Sequence, residues 1–337
     1  MTIERRTFLK TASLTIGAGV LGPSALAAQT TSAPAAAGGD MPKGKTFVTI
    51  RRGAETSLGI KTDRGILDVK KAEAQLKQKA PATIDEVFQR GGGAALQRLV
   101  EKAQNGKANG LYLTEDKLQY GPCVTNPEKI VCIGLNYRKH AAKTGNPVPK
   151  FPILFNKYNT SLNGHRGVIA VSKEGAEQFD YEAELVIVMG KTARNVSEGE
   201  ALSSVFGYAT GNDFTARDLQ RVSSQWMLGK SLDGFAPLGP YLVTADLVAD
   251  PNALKIECRV NGEVRQSSNT GDMVFNCAQL VSYISKYFTL KPGDLIFTGT
   301  PEGVIAGYPK DKQVWLKAGD KLTTTIEKLG ALEFSLT

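Results

Sequence analysis

Phe179-Asp180-Tyr181-Glu182-Ala183-Glu184-Leu185-Val186-Ile187-Val188 is a β-rich apolar run with no Pro or Gly before Gly190, and it reads as a strand. Alternate residues of a strand point the same way, so Asp180, Glu182 and Glu184 are expected on one face. Like charges side by side repel and carry a desolvation cost unless something positive sits among them. A solvated edge strand needs no such partner. The apolar residues directly after the acids favour a strand that runs into the core, and with it a hard divalent cation, which takes oxygen ligands and tolerates carboxylates at short range.

A second acidic segment follows in Gly211-Asn212-Asp213-Phe214-Thr215-Ala216-Arg217-Asp218-Leu219-Gln220, where Asp213 ends a short apolar run after a Gly and can be aimed at a site. Three further motifs stand in order around these two: Cys132-Ile133-Gly134-Leu135-Asn136-Tyr137-Arg138-Lys139-His140, Gly229-Lys230-Ser231-Leu232-Asp233-Gly234 and Phe297-Thr298-Gly299-Thr300-Pro301-Glu302-Gly303. Over residues 123–332 the five motifs together resemble the fumarylacetoacetate hydrolase family. The resemblance implies an α+β, mainly β fold: a mixed β-roll catalytic domain, normally a homodimer, with the small N-terminal α/β domain of many bacterial relatives.

Carried over residue by residue, the resemblance makes Glu182, Glu184 and Asp213 the carboxylate ligands of Mg2+ or Mn2+. Three carboxylates leave positions of an octahedral ion open for a chelating 2-oxo acid. It implies that His140 is the general base and Lys230 steadies developing negative charge. It further implies that Arg217, Gln220 and Thr300 hold the substrate's carboxylate or oxo groups, and that Arg138 meets its distal end. Asp180 has no ligand counterpart and is expected behind the ligands or facing solvent. Ile133 stands where some longer members have a fourth aspartate ligand. The chain departs from the family at Lys143, where hydrolysing and decarboxylating members often have a Glu that polarises the histidine. A lysine cannot accept the imidazole proton, so the orienting acid comes from elsewhere, for instance Glu174, or the reaction needs no activated water.

Taken without the resemblance, several of these residues keep plainer alternatives. Lys230 in a Gly-Lys-Ser turn is open to a solvated reading, and Arg217 to a structural ion pair with Asp213 or Asp218. The other histidine, His165, sits in an Asn-Gly-His-Arg turn and reads as a loop residue.

The remainder of the chain frames this segment. Arg5-Arg6-Thr7-Phe8-Leu9-Lys10, a mildly apolar run and Ala25-Leu26-Ala27 read as a twin-arginine signal peptide over residues 1–27, which predicts a periplasmic or secreted protein. The apolar run is short and contains Pro23, which argues against a membrane span, and no later segment is apolar enough for one. A GxGxxG match at Gly17-Ala18-Gly19-Val20-Leu21-Gly22 lacks a preceding strand and is discarded. Residues 28–44 read as a flexible linker, 45–122 as the small domain and 123–337 as the catalytic domain.

Loss of residues 1–27 removes Arg5, Arg6, Lys10 and Glu4, taking the formal charge from +8 to +6. The remaining Lys and Arg are scattered without aromatic interleaving, which excludes nucleic acid as a partner. The four cysteines, Cys123, Cys132, Cys258 and Cys277, have no CxxC spacing and no neighbouring His, so zinc is excluded as well. Strands are predicted at 46–50, 57–60 and 65–69, and helices from Thr83 and over 94–104. A hairpin is predicted at Asn261-Gly262, with further helices from Ser197 and over 276–287. The resulting reading is an exported, divalent-metal enzyme that cleaves a carbon–carbon bond in a 2-oxo acid or acylpyruvate through an enolate. Isomerase, decarboxylase and ureidoglycolate-type lyase chemistry are the alternatives within the family. A secreted metal- or sugar-binding module without catalysis is the alternative from another class.

Overall fold

The computed structural model describes residues 40–106, 109–143, 145, 147–171 and 175–337. The signal-peptide reading, residues 28–39 of the linker, and Glu174 lie outside the described residues. Among these residues no helix is long and apolar enough to cross a membrane.

The run that opens the sequence reading forms the centre of an 11-stranded mixed sheet. All seven residues of the strand Ala183–Met189 are buried. The strand lies between Val205–Asn212, antiparallel, and Leu295–Phe297, also antiparallel. Both of its faces are covered, which is why its sequence is continuously apolar rather than alternating. Ala183, Leu185, Ile187 and Met189 join one core with Tyr208, Cys258 and Leu280. Val186 and Val188 join a second core with Phe47, Leu99, Phe206 and Phe297. Beyond Leu295–Phe297 come Ile130–Gly134, in parallel, and the edge strand Ile153–Lys157.

On the other side the sheet continues through Ala236–Thr244 into the N-terminal part. Thr46 pairs with Val243 and Phe47 with Leu242, so the small domain extends the catalytic sheet through its first strand. A five-stranded sheet built on the hairpin Lys255–Val260 and Glu263–Asn269 packs over the first core with the helix Cys277–Tyr287. The hairpin turn has Asn261 and Gly262 both at positive φ, 52° and 85°, as a two-residue turn between twisted strands requires. The molecule is thus α+β and mainly β, with the N-terminal domain ahead of the catalytic one.

Two local expectations need correction. The acidic strand is not continuous: Phe179–Asp180 pairs with Thr215–Ala216, and the ladder resumes only at Ala183. Side chains take over the backbone in the gap, since Tyr181 N–H donates to Asp180 Oδ1 and Glu182 N–H to Asn212 Oδ1. The third N-terminal strand stops at Asp68, whose carboxylate accepts from Lys71 N–H and caps an unforeseen helix, Val69–Leu76. The four cysteines are free buried thiols.

Candidate active site

Three buried carboxylates meet where the central strand enters the sheet. Glu182, Glu184 and Asp213 each offer an oxygen within 4.8 Å of the others. Glu182 and Glu184 come from the start of the strand and Asp213 from the turn after its antiparallel neighbour, where Asp213 N–H donates to the Glu182 carbonyl. Burying three negative charges demands cations, and the structure provides them. Lys230 Nζ donates to Glu182 at 2.6 Å and to Asp213 at 2.7 Å. Arg217 donates to Glu182 at 2.6 Å and to Asp180 at 2.9 Å. Lys157 Nζ, with a fully buried side chain, donates to the other Asp213 oxygen at 2.5 Å.

This arrangement places each residue singled out from the sequence. Lys230 is buried against the acids rather than solvated, because its short helix, Met227–Lys230, packs closely on Arg217–Gln220. Gly229 permits that approach: a Cβ there would lie 2.4 Å from the Ala216 carbonyl oxygen. Arg217 is an ion-pair residue, but with Asp180 and Glu182 rather than Asp213 or Asp218. Asp180 does not face solvent. It is fully buried and accepts from Arg217 and from the N–H groups of Ile305 and Ala306. Gln220 lines the cleft and accepts from Arg217 at 3.1 Å. Thr300 lines it too, its hydroxyl oxygen accepting from Gln266 Nε2 and leaving its own hydrogen to donate.

Arg138 is the exception. Its guanidinium donates to the carbonyls of Asp272, Met273 and Val274, so it ties down a loop and does not line the cleft. His165 accepts from Glu333 N–H at Nδ1, a structural contact consistent with its reading as a loop residue.

His140 is buried on the short helix Arg138–Lys143 and lines the cleft with Lys143. The turn before it is held by Asn136, which donates to the Phe275 and Thr298 carbonyls and accepts from Phe275 N–H. Gly299 packs against that turn at φ 97°, where a Cβ would come within 2.7 Å of Asn136 Cβ. Gly299 N–H also donates to Glu184 at 2.8 Å, so one loop fixes both the base turn and a carboxylate. The cleft has a volume of about 610 Å3 and a floor formed by Ile133, Phe155 and Trp226. Sequence reasoning missed Lys157 and Gln266. Their signals were weak: a lysine ending an edge strand, and a glutamine within the second strand of the Asn261-Gly262 hairpin.

The electrostatics divide the acids. Burial raises the Glu182 carboxyl, but Lys230 and Arg217 more than reverse this and hold it well below the usual carboxylate range. Burial, with Asp213 and Glu182 beside it, pushes Glu184 well above that range. Burial works against Lys230, yet Asp213 and Glu182 keep its ammonium more firmly protonated than a free lysine. A divalent cation fits this set: the donors are hard oxygens, and Glu184 is a carboxylate short of positive charge whose proton the ion can replace.

Residues 129–337 match the sequence profile described as fumarylacetoacetate (FAA) hydrolase C-terminal. The chain is 47% identical over 211 residues to a mitochondrial oxaloacetate tautomerase, fahd2, of Xenopus laevis, which covers 62% of this chain and 65% of the relative. It is therefore matched over a little less than two thirds of that protein. With the oxaloacetate tautomerase YisK of Bacillus subtilis it shares 37% identity over 279 residues, 80% of this chain and 92% of the relative. A crystal structure of fumarylpyruvate hydrolase from Pseudomonas aeruginosa, in complex with Mn2+ and pyruvate, superposes with a TM-score of 0.55 at 33% identity. It covers 65% of this chain and 91% of that one.

Burial lowers the His140 pKa; Arg217 and Lys230 push the same way, and Glu182 and Asp180 offset only part of the burial effect. A neutral imidazole at pH 7 can accept a proton, and a base with a depressed pKa stays competent to lower pH. The acidic limb of kcat/KM against pH is therefore predicted to have its midpoint below the ordinary histidine value of about 6.5. A midpoint at or above that value would show that another group takes the proton.

Proposed function

Because the chain belongs to the fumarylacetoacetate hydrolase family, we propose that it is a divalent-cation-dependent keto–enol tautomerase acting on a 2-oxo dicarboxylic acid of the oxaloacetate class. Carbon–carbon cleavage, put first from the sequence alone, becomes the second reading. The observation that carries the choice is the pairing of a buried, neutral base with Lys143 in one cleft. Members that hydrolyse often carry an acid at that place to polarise the histidine toward water; moving a proton between carbon and oxygen calls for no activated water. The names of the two tautomerases point the same way.

Glu182, Glu184 and Asp213 would hold Mg2+ or Mn2+, which would supply Lewis-acid chemistry toward the 2-oxo acid. The chain's own groups do the rest. His140 takes the proton from the carbon next to the keto group, and the electron pair of that C–H bond becomes the C=C bond of the enolate. The keto oxygen gains the negative charge and then a proton, completing the enol; the reverse sequence returns the ketone. Lys230 has two of its three N–H groups committed to Glu182 and Asp213 and can turn the third toward that oxygen. Thr300 can donate its hydroxyl hydrogen beside it.

The far carboxylate is left to Lys143 and Arg221, two cations that line the cleft and make no ion pair among the described residues. Desolvation by the hydrophobic floor strengthens these contacts. The proposal extends to location: export by the twin-arginine route carries a folded chain, so the cation is loaded before export and is not exposed to competition from tighter-binding metals. With Arg5 and Arg6 both changed to Lys the precursor should stay in the cytoplasm, and continued export would refute the route.

The activity is tested by following the enol–keto ratio of oxaloacetate with the Mg2+-loaded protein. Rates should exceed those with Mg2+ alone, fall by about 10²-fold or more in His140→Asn, and occur without release of pyruvate. In Lys143→Gln, the KM for oxaloacetate should rise about tenfold, the loss of one charge-assisted hydrogen bond, while proton exchange into pyruvate is unaffected. Acylpyruvate cleavage with no effect on the enol–keto rate would restore the hydrolase reading.

A further inference from the structure

Each of the three clustered carboxylates has one oxygen held by a donor other than Lys230. Glu182 Oε1 accepts from Arg217 at 2.6 Å, and Glu184 Oε2 from Gly299 N–H at 2.8 Å. Asp213 Oδ1 accepts from Lys157 Nζ at 2.5 Å. The second oxygens of Glu182 and Asp213 are the ones that Lys230 touches. A carboxylate oxygen has two lone pairs, so each of these keeps capacity for a cation. The site thus offers one oxygen per carboxylate, and one oxygen of each lies within 4.8 Å of the others.

Lys157 is the donor among these that the chemistry leaves without a role. It closes the edge strand Ile153–Lys157, and Phe155, two residues earlier on the same face, forms part of the cleft floor. The Lys157 side chain is fully buried and does not line the cleft, so it has no path to a substrate. A second bond, to the Phe214 carbonyl at 3.2 Å, anchors Nζ on the turn that carries Asp213. That turn is pinned in addition by Asp213 N–H on the Glu182 carbonyl and by Thr215 Oγ1 on the Asp213 carbonyl. Rotating the Asp213 carboxylate to present both oxygens would break its bond to Lys157 and leave a buried ammonium short of counter-charge. A cation drawing on Oδ1 without that rotation would meet the ammonium across a single oxygen, where two positive charges repel strongly.

We propose that Lys157 is a positioning residue that restricts Asp213 to one ligand oxygen and thereby selects a small octahedral cation over Ca2+. The inference rests on the cation site of the reading above. Three single oxygens are enough for Mg2+ or Mn2+ and leave positions of the octahedron open for a chelating 2-oxo acid. Ca2+ takes about six to eight oxygens and commonly gains them from carboxylates that give both. A site whose acids can each give only one is therefore a poor match for it. Arg217 and the Gly299 N–H restrain their carboxylates in the same way. Arg217 also lines the cleft and the Gly299 donor is backbone, so Lys157 is the side chain on which the restraint can be tested by itself. Donors that hold a ligand's second atom act on metal affinity without touching the metal.

The test is the Kd for Mg2+ and for Ca2+, measured by calorimetry on the whole protein without substrate. Loss of a buried positive charge changes the affinity for both ions together, so the quantity to read is their ratio. In Lys157→Met the Kd ratio, Ca2+ over Mg2+, should fall about tenfold or more, because Asp213 can then turn to give both oxygens. Lys157→Arg, which keeps a charged donor at this place, should retain the parent ratio. An unchanged ratio in Lys157→Met, or an equal fall in Lys157→Arg, would overturn the proposal and leave Lys157 as a counter-charge only. If Lys157→Met does not fold, the parent protein decides. In its infrared difference spectrum with 13C-labelled aspartate, saturating Ca2+ should give the widely split carboxylate stretches of one-oxygen ligation, and the narrow splitting of two-oxygen ligation would refute the restraint. A parent protein that binds neither ion would refute the cation site itself. One that binds Mg2+ without tautomerase activity would refute only the functional reading, since no turnover enters these measurements.

Discussion

Charge balance around a buried carboxylate cluster is the constraint on which the rest depends. Asp180, Glu182, Glu184 and Asp213 are buried together, and Arg217, Lys230 and Lys157 are buried among them. With Glu184 protonated the four acids and three bases balance. With Glu184 ionised the site carries one net negative charge, which a divalent cation turns to one positive. An anionic substrate then restores neutrality. Uncompensated charge of either sign is expensive in this setting, so cation and substrate are each favoured by the state that the other leaves.

The fold exists to hold that cluster. Two acids enter from the head of a fully buried strand, the third from the turn after its neighbour, and the lysine and arginine from two short helices that Gly229 allows to touch. The Gly299 loop links Glu184 to the turn that carries His140. Proton transfer and charge stabilisation are thus assembled on one backbone framework, which is the condition for fixed electrostatics to lower a barrier without reorganisation.

Much of this was legible in the chain. The apolar run at 183–188, the Asn261-Gly262 turn and the helical spacing of Cys277, Leu280, Val281 and Ile284 follow from local periodicity and turn chemistry, and each is an element of the structure. The break at Tyr181 and Glu182 was not, because period-two alternation continues through it; the interruption comes from Asn212, thirty residues away. Lys157 and Gln266 were invisible for the same reason, being polar residues whose role depends on what the sheet brings opposite them. The contacts of Arg138 were not legible either, because a motif position says nothing of which carbonyls a guanidinium finds. Lys143 was visible as a departure, but its consequence needed the cleft.

The measurement closest to the centre of this account is a Mg2+ titration, followed by calorimetry, of Glu184→Gln beside Asp180→Asn. If Glu182, Glu184 and Asp213 hold one cation together, Glu184→Gln should weaken binding on the order of a hundredfold or more, while Asp180→Asn, which alters only the support of Arg217, should weaken it by about tenfold at most. Parent-like affinity in Glu184→Gln, or loss confined to Asp180→Asn, would contradict the ligand set and the chemistry built on it.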